Sequence, residues 1–288
     1  MPENFSRKLE RAFSNYGQLC VGVDPHATLL IDNGIDDSLQ GLEEFSSRLL
    51  EGMIGHVGIV KFQVSFFERF GSAGLKVLEN QLSLAKQEGL LVIADAKRGD
   101  IGSTMAAYAD AWLGKDASFI CDALTVNPFL GVGSLEPAMA AAVERGKGLF
   151  VLCATSNPEA QTVQGSMRDG VGLSKSIAND VSKFNKLTSQ SNSRFGSIGL
   201  VVGATVDLLQ NELDDLNSEG SKLRSPILSP GFGAQGVNLT QAKEIFPNTF
   251  GDTIFSASRS ILRNGLAGVD KTIIADATVL ADALGGKI

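Results

Sequence analysis

Apolar residues fall into eight short β-rich runs, each followed by a polar or Gly-rich stretch and then a helical pattern. The runs are QLCVGVD (18–24), VGIVKFQ (57–63), LLVIADAK (90–97), FICDALTVN (119–127), GLFVLCATS (148–156), IGLVVGATV (198–206), SPILSPG (225–231) and TIFSASR (253–259). They are largely apolar and do not alternate strictly, the pattern of parallel strands covered by helices. Eight such runs alternating with helices predict an α/β chain folded as a (β/α)8 TIM barrel, one domain over residues 1–288. An open, doubly wound sheet satisfies the same strand count, so counting does not separate the two.

The intervening segments carry ordinary helix signals. Residues 39–54 place apolar positions at helical spacing, and residues 103–113 open on Ser103 and Thr104, which suit a helix amino terminus. The longest departure from a minimal barrel runs from about 157 to 196: a polar loop, then an amphipathic helix of about four turns. Such a loop after a strand end is either a lid or a surface excursion.

Composition narrows the functional classes. Apolar residues make up 43% of the chain and charged residues 20%, enough for a sizeable core and unlike a disordered chain. The net charge of −7 argues against a surface that coats nucleic acid or anionic lipid. No apolar run approaches membrane-spanning length, and the segment MPENFSRKLERAF is polar and amphipathic, unlike a signal peptide. Cys20, Cys121 and Cys153 are far apart and each lies in an apolar run, which reads as reduced core thiols in a cytoplasmic protein. With His26 and His56 the only histidines, a multi-histidine metal site is not expected. His26 reads as a solvated loop residue, and Tyr108 and Trp112 as packing residues.

In a barrel, the carboxyl ends of the strands converge on one face, where active sites form. Here those ends carry Asp24, Lys61, Asp95 and Lys97, then Thr125 and Asn127, Thr155 and Ser156, and Arg259. Within DAKRGDIGST (95–104), Asp95 and Lys97 are two apart and share one side of a strand, while Asp100 lies in the following turn and can return toward Lys97. Arg98 points to the opposite side and suits a structural ion pair. A lysine between carboxylates stays protonated, which suits a proton donor or electrostatic stabiliser better than a Schiff-base nucleophile. The DxKxxD spacing alone fits a salt-bridged strand end equally well. A second pair, Lys61 with Asp24, favours a binding or reaction centre, since two such pairs form a costly network. PGFGAQG (230–236) matches GxGxxG at Gly231, Gly233 and Gly236, but lies too near the carboxyl terminus for a dinucleotide-binding unit. In a barrel it suits a phosphate loop, with Arg259 at the next strand end to grip the anion.

The ordered set VGVDP, IVKFQ, DAKRGDIGST, TVNPFLG, VLCATSNPE, VVGAT, SPGFGAQG and the strand-8 arginine resembles the orotidine 5′-phosphate decarboxylase family along nearly the whole chain, in its longer bacterial branch (type 2). The resemblance implies conversion of orotidine 5′-monophosphate to uridine 5′-monophosphate and carbon dioxide in pyrimidine biosynthesis, without metal or organic cofactor. It assigns Lys97 to protonate C6, Asp95 to sit near the departing carboxylate, and Lys61 to complete the array. Asp24 and Lys61 would hold ribose hydroxyls, and Ser156 would read the pyrimidine. Gln235 and Arg259 would hold the phosphate, with Gly233, Ser258 and Asn127 also counted as substrate-binding. Asp100, Ile101 and Thr104 would reach across a homodimer interface into the partner's site. Many relatives carry Gly where this chain has Ser258. Two other functions fit the barrel: a metal-dependent sugar-phosphate decarboxylase or aldolase, and a non-catalytic nucleotide-phosphate binder.

Overall fold

The structure is a computed structural model that describes residues 3–188, 193–217, 223–233 and 236–285. All eight apolar runs form strands: β1 (Leu19–Val23), β2 (Ile59–Gln63), β3 (Leu91–Arg98), β4 (Ala123–Val126), β5 (Gly148–Ala154), β6 (Ile198–Val202), β7 (Ile227–Phe232) and β8 (Thr253–Ala257). Each pairs in parallel with its sequence neighbours, and β1 pairs with both β2 (Cys20 opposite Ile59) and β8 (Cys20 opposite Ser256). That last pairing closes the sheet and decides against the open doubly wound alternative.

Side chains alternate with a period of two, so one parity of each strand fills the barrel. Cys20, Ile59, Ile93, Ala123, Phe150, Leu228 and Ile254 form a buried interior layer. One pleat further toward the carboxyl ends, the same parity presents Lys61, Asp95, Thr125 and Ser256, all buried. The inward face therefore changes from apolar to charged on β2 and β3, and to hydroxyl on β4 and β8, within a single repeat.

The opposite end of the barrel is closed by the helix Phe5–Tyr16, whose cap Asn4 accepts the Arg7 N–H at 3.0 Å. Phe5, Leu9 and Ala12 join the interior layer, with Phe5 edge-on to Phe150 at 6.0 Å. Asp122, just before β4, takes Lys8 Nζ at 2.9 Å, Lys86 Nζ at 2.6 Å and the Val92 N–H at 2.9 Å. It fastens that helix to the barrel wall, and the two ammonium groups outweigh burial and hold its carboxyl below the usual range.

Outside the strands, the 39–54 expectation appears as the helix Leu39–Glu51, capped by Ser38. The 103–113 expectation appears as Gly102–Leu113, but its start differs: Ser103 and Thr104 lie inside the first turn, and no side chain caps it at Ile101. The Ile101 N–H instead goes to the Asp100 carboxylate at 2.7 Å. The long excursion after β5 forms the short helix Ala160–Gln164, a small antiparallel ribbon (Met167–Arg168 with Val171–Gly172) and the helix Leu173–Thr188. Asn185 ties that helix to β6 through both main-chain groups of Ile198, at 2.7 and 3.1 Å.

Candidate active site

The inward charged residues form one connected array. Lys61 Nζ lies 3.4 Å from Asp24 Oδ1 and 3.2 Å from Asp95 Oδ2. Lys97 Nζ lies 2.7 Å from Asp95 Oδ1, which also accepts the Thr125 hydroxyl at 2.8 Å. Asp24, Lys61, Asp95 and Lys97 thus alternate in sign across three neighbouring strand ends. Lys97 reaches the mouth because β3 is interrupted: its pairing with β4 holds at Ala94–Leu124 and resumes only at Arg98–Val126. In that interval Lys97 takes a left-handed backbone, φ +49°.

Burial and charge act in opposite directions here, and charge prevails. Burial alone would lower the pKa of Lys61, yet the flanking Asp24 and Asp95 raise it. Burial would raise that of Asp95, but Lys61 and Lys97, with hydrogen bonds from Lys97 and Thr125, bring it down to about 2. Lys61 and Asp95 are therefore ionised at neutral pH. Cys20, beneath Lys61, is pushed up to about 12 by burial and stays a neutral thiol.

The array lines a cavity of about 210 Å³ together with Ser258 and Arg259 at the end of β8, the neighbour of β1, and with Leu228 and Phe232 of β7. The Gly-rich turn after β7 approaches the segment after β8 closely. Gly233 has φ +79°, and a Cβ there would fall 2.2 Å from that of Ser260, so only glycine fits. Arg259 is exposed and opens a short 3₁₀ turn, Arg259–Leu262. Ser258 Oγ is buried with no hydrogen-bond partner among the described residues, in a wall that packs against Gly22. Gln235 lies outside the described residues.

The remaining expected residues are more scattered. Ser156 backs onto Gly203, where a Cβ would lie 3.0 Å from its own, and lines a separate hollow with Thr155 and Gln164, sharing no residue with the cavity of the array. Asn127 is exposed outside the cavity, and its side-chain oxygen accepts the Phe129 N–H at 3.0 Å. Asp100 does not return toward Lys97, because its carboxylate is engaged by the Ile101 N–H of the next helix. Ile101 is 60% exposed and Thr104 is exposed too, and neither lines the cavity of the array. His26 is not a solvated loop residue: its Nδ1 accepts the Leu29 N–H at 3.2 Å and caps the helix Ala27–Asp32. Arg98 pairs with Glu68 as expected, and Trp112 is buried, stacked on Phe119. Sequence reasoning named Thr125 only as a strand end. Its place two residues beyond inward-facing Ala123 was the available signal.

Among the described residues, no group of three or more His, Cys, Asp and Glu is placed to hold a metal ion, and no helix is long and apolar enough to cross a membrane. A closed (β/α)8 barrel with an alternating Asp–Lys array at its carboxyl-terminal mouth, facing a glycine turn and an arginine, defines a class of barrels suited to phosphorylated small molecules. Residues 17–269 match the model of the orotidine 5′-phosphate decarboxylase / HUMPS family. The chain is 45% identical over 263 residues to the orotidine 5′-phosphate decarboxylase of Streptomyces coelicolor, covering 91% of each protein. It is 43% identical to that of Corynebacterium glutamicum, again over 91% of each. A solved Streptomyces avermitilis structure carrying the same family name superposes with a TM-score of 0.89 at 42% identity, covering 98% of this chain and 96% of that one. The Leishmania donovani OMP decarboxylase superposes at 0.74 with 26% identity, covering 96% and 98%. The chain belongs to the orotidine 5′-phosphate decarboxylase family.

Proposed function

We propose that this chain, acting as one catalytic domain, converts orotidine 5′-monophosphate to uridine 5′-monophosphate and carbon dioxide. The observation that carries the reading is the Lys61–Asp95–Lys97 linkage, lining one cavity with Ser258 and Arg259. Arg259, Gly233, Ser258 and Gln235 are assigned to the 5′-phosphate, Asp24 and Lys61 to the ribose, and Ser156 to the pyrimidine. Asn127 would support the rim.

Loss of carbon dioxide breaks the C6–carboxylate bond and leaves its electron pair on C6. Lys97, 44% exposed at the mouth, then donates a proton to C6 and recovers one from solvent. Reactions of this kind need transition-state stabilisation near the top of the enzymatic range, roughly 20 kcal/mol. No single ion pair supplies that. Charges already fixed by Asp24–Lys61–Asp95 need not reorganise as C6 becomes negative, and binding energy from the distant phosphate can be used at the reacting carbon. Asp95, held ionised, would lie near the departing carboxylate, where repulsion falls as the bond breaks. Lys61 fills the gap between Asp24 and Asp95 that a cation would otherwise occupy, which supports a reaction without metal. Asp100, Ile101 and Thr104, none of which lines the cavity of their own chain, are assigned to the partner's site in a homodimer. Three buried free thiols suit a cytoplasmic enzyme.

The test is loss of the orotate ultraviolet chromophore on mixing the substrate with purified protein, with and without chelator. Turnover undiminished by chelator, and reduced by about 10⁴-fold or more in Lys97→Ala, is the expected result. Chelator-sensitive activity on sugar phosphates alone would replace this reading with the metal-dependent one. Binding of uridine 5′-monophosphate without turnover would leave a binding barrel.

A further inference from the structure

The interruption in β3 raises the question of what holds Lys97 in place. Between Ala94 and Arg98 the strand carries more residues than β4 can pair, so the ladder cannot bond every main-chain group there. The Lys97 N–H is one of these, and it donates instead to the Thr125 hydroxyl oxygen at 2.9 Å. A hydroxyl has a single proton. With its oxygen accepting from Lys97, Thr125 directs that proton to Asp95 Oδ1, 2.8 Å away. The same Oδ1 takes Lys97 Nζ at 2.7 Å. A closed ring therefore runs from the Lys97 main chain through Thr125 and Asp95 back to the Lys97 side chain. Thr125 is 1% exposed, and the ladder resumes immediately after it, with the Asn127 N–H on Arg98 O at 2.8 Å.

We propose that Thr125 is a positioning residue for the proton donor, its hydroxyl locking the β3 bulge that aims Lys97 at Asp95 and the cavity. This rests on the assignment of Lys97 as donor. Valine at this position would match the shape but strand two partners, the Lys97 N–H and one acceptor site of Asp95. Serine would keep both bonds. The charged and titratable groups around Asp95 are Lys61 from β2, Lys97 from its own strand, and Asp24 and Cys20 from β1. None of them can replace the hydroxyl's bond to the Lys97 main chain, since the ammonium groups have no acceptor and the others lie on β1.

The decisive comparison is Thr125→Val with Thr125→Ser, measured for steady-state turnover of orotidine 5′-monophosphate and for the Asp95 carboxyl carbon resonance across the acid range. Thr125→Val should lower kcat by roughly 10- to 100-fold, as misplacement of a reacting group does, with KM changed far less. Its Asp95 resonance should titrate at higher pH than in the native protein, because a bond to the charged form is gone. Thr125→Ser should restore most of kcat and the native titration. Native kcat and titration in Thr125→Val, or a Thr125→Ser as slow as Thr125→Val, would overturn the proposal. If Thr125→Val fails to fold, Thr125→Cys, with a weaker donor, should show the same changes at smaller amplitude, and native behaviour there would count against the hydroxyl. Should the native protein prove inactive on this substrate, the proposed reaction fails while the Asp95 titration still tests the ring.

Discussion

Asp95 is the residue on which the array depends: it accepts from Lys61, Lys97 and Thr125 at once. Its folded pKa of about 2 lies below the ordinary carboxylate value near 4, so the unfolded chain binds its proton first as pH falls. The stability it contributes is therefore fully present above about pH 4 and is lost as pH falls toward 2. Asp95→Asn removes this contribution and leaves buried Lys61 with Asp24 alone. Breaking a buried pair in this way should cost about 3 kcal/mol at neutral pH. The difference from the native protein should narrow steadily below pH 4, as native Asp95 takes up its own proton. Urea unfolding at a series of pH values checks this, and a variant equally destabilised at neutral and acid pH would contradict it.

At the scale of elements, the barrel needs a floor beneath its charged mouth, and the helix Phe5–Tyr16 supplies it. Phe5 is completely buried, and a Cβ on Gly148 would fall 2.8 Å from its ring, so that glycine makes the space it occupies. Phe5→Ala should lose about 3–5 kcal/mol, read as a lower urea midpoint, because the strand ends around it cannot collapse into the void. Midpoints unchanged by the substitution would mean that the helix does not seal the barrel. The position of this helix was not legible in the sequence: amphipathic spacing tells which face is buried but not against what. The strands were legible for the opposite reason, since an apolar run buried on both faces carries its own signature. Asp24, Lys61, Asp95 and Lys97 were legible as strand ends of one parity. The β3 bulge was not, because it arises from pairing with β4, and the bond from the Lys97 N–H to Thr125 follows from it.

For the whole molecule, the array accounts for only part of the expected site. Asp100, Ile101 and Thr104 follow β3 yet do not line the cavity, and Phe129 and Leu130 after β4 are 76% and 56% exposed. An apolar, exposed rim beside an ionised cavity is what a second copy could cover, carrying Asp100 and its neighbours to the partner's array. A symmetric dimer makes this testable by mixing two inactive variants, Lys97→Ala and Asp100→Asn. If Asp100 crosses the interface, each mixed dimer holds one site with both lesions and one with neither. Random reassortment on refolding the two together should then recover about a quarter of native activity. If Asp100 acts within its own chain, every site in every dimer keeps one lesion, and mixing recovers nothing. The second result would remove the shared site while leaving the single-chain array, and the chemistry assigned to it, unaltered.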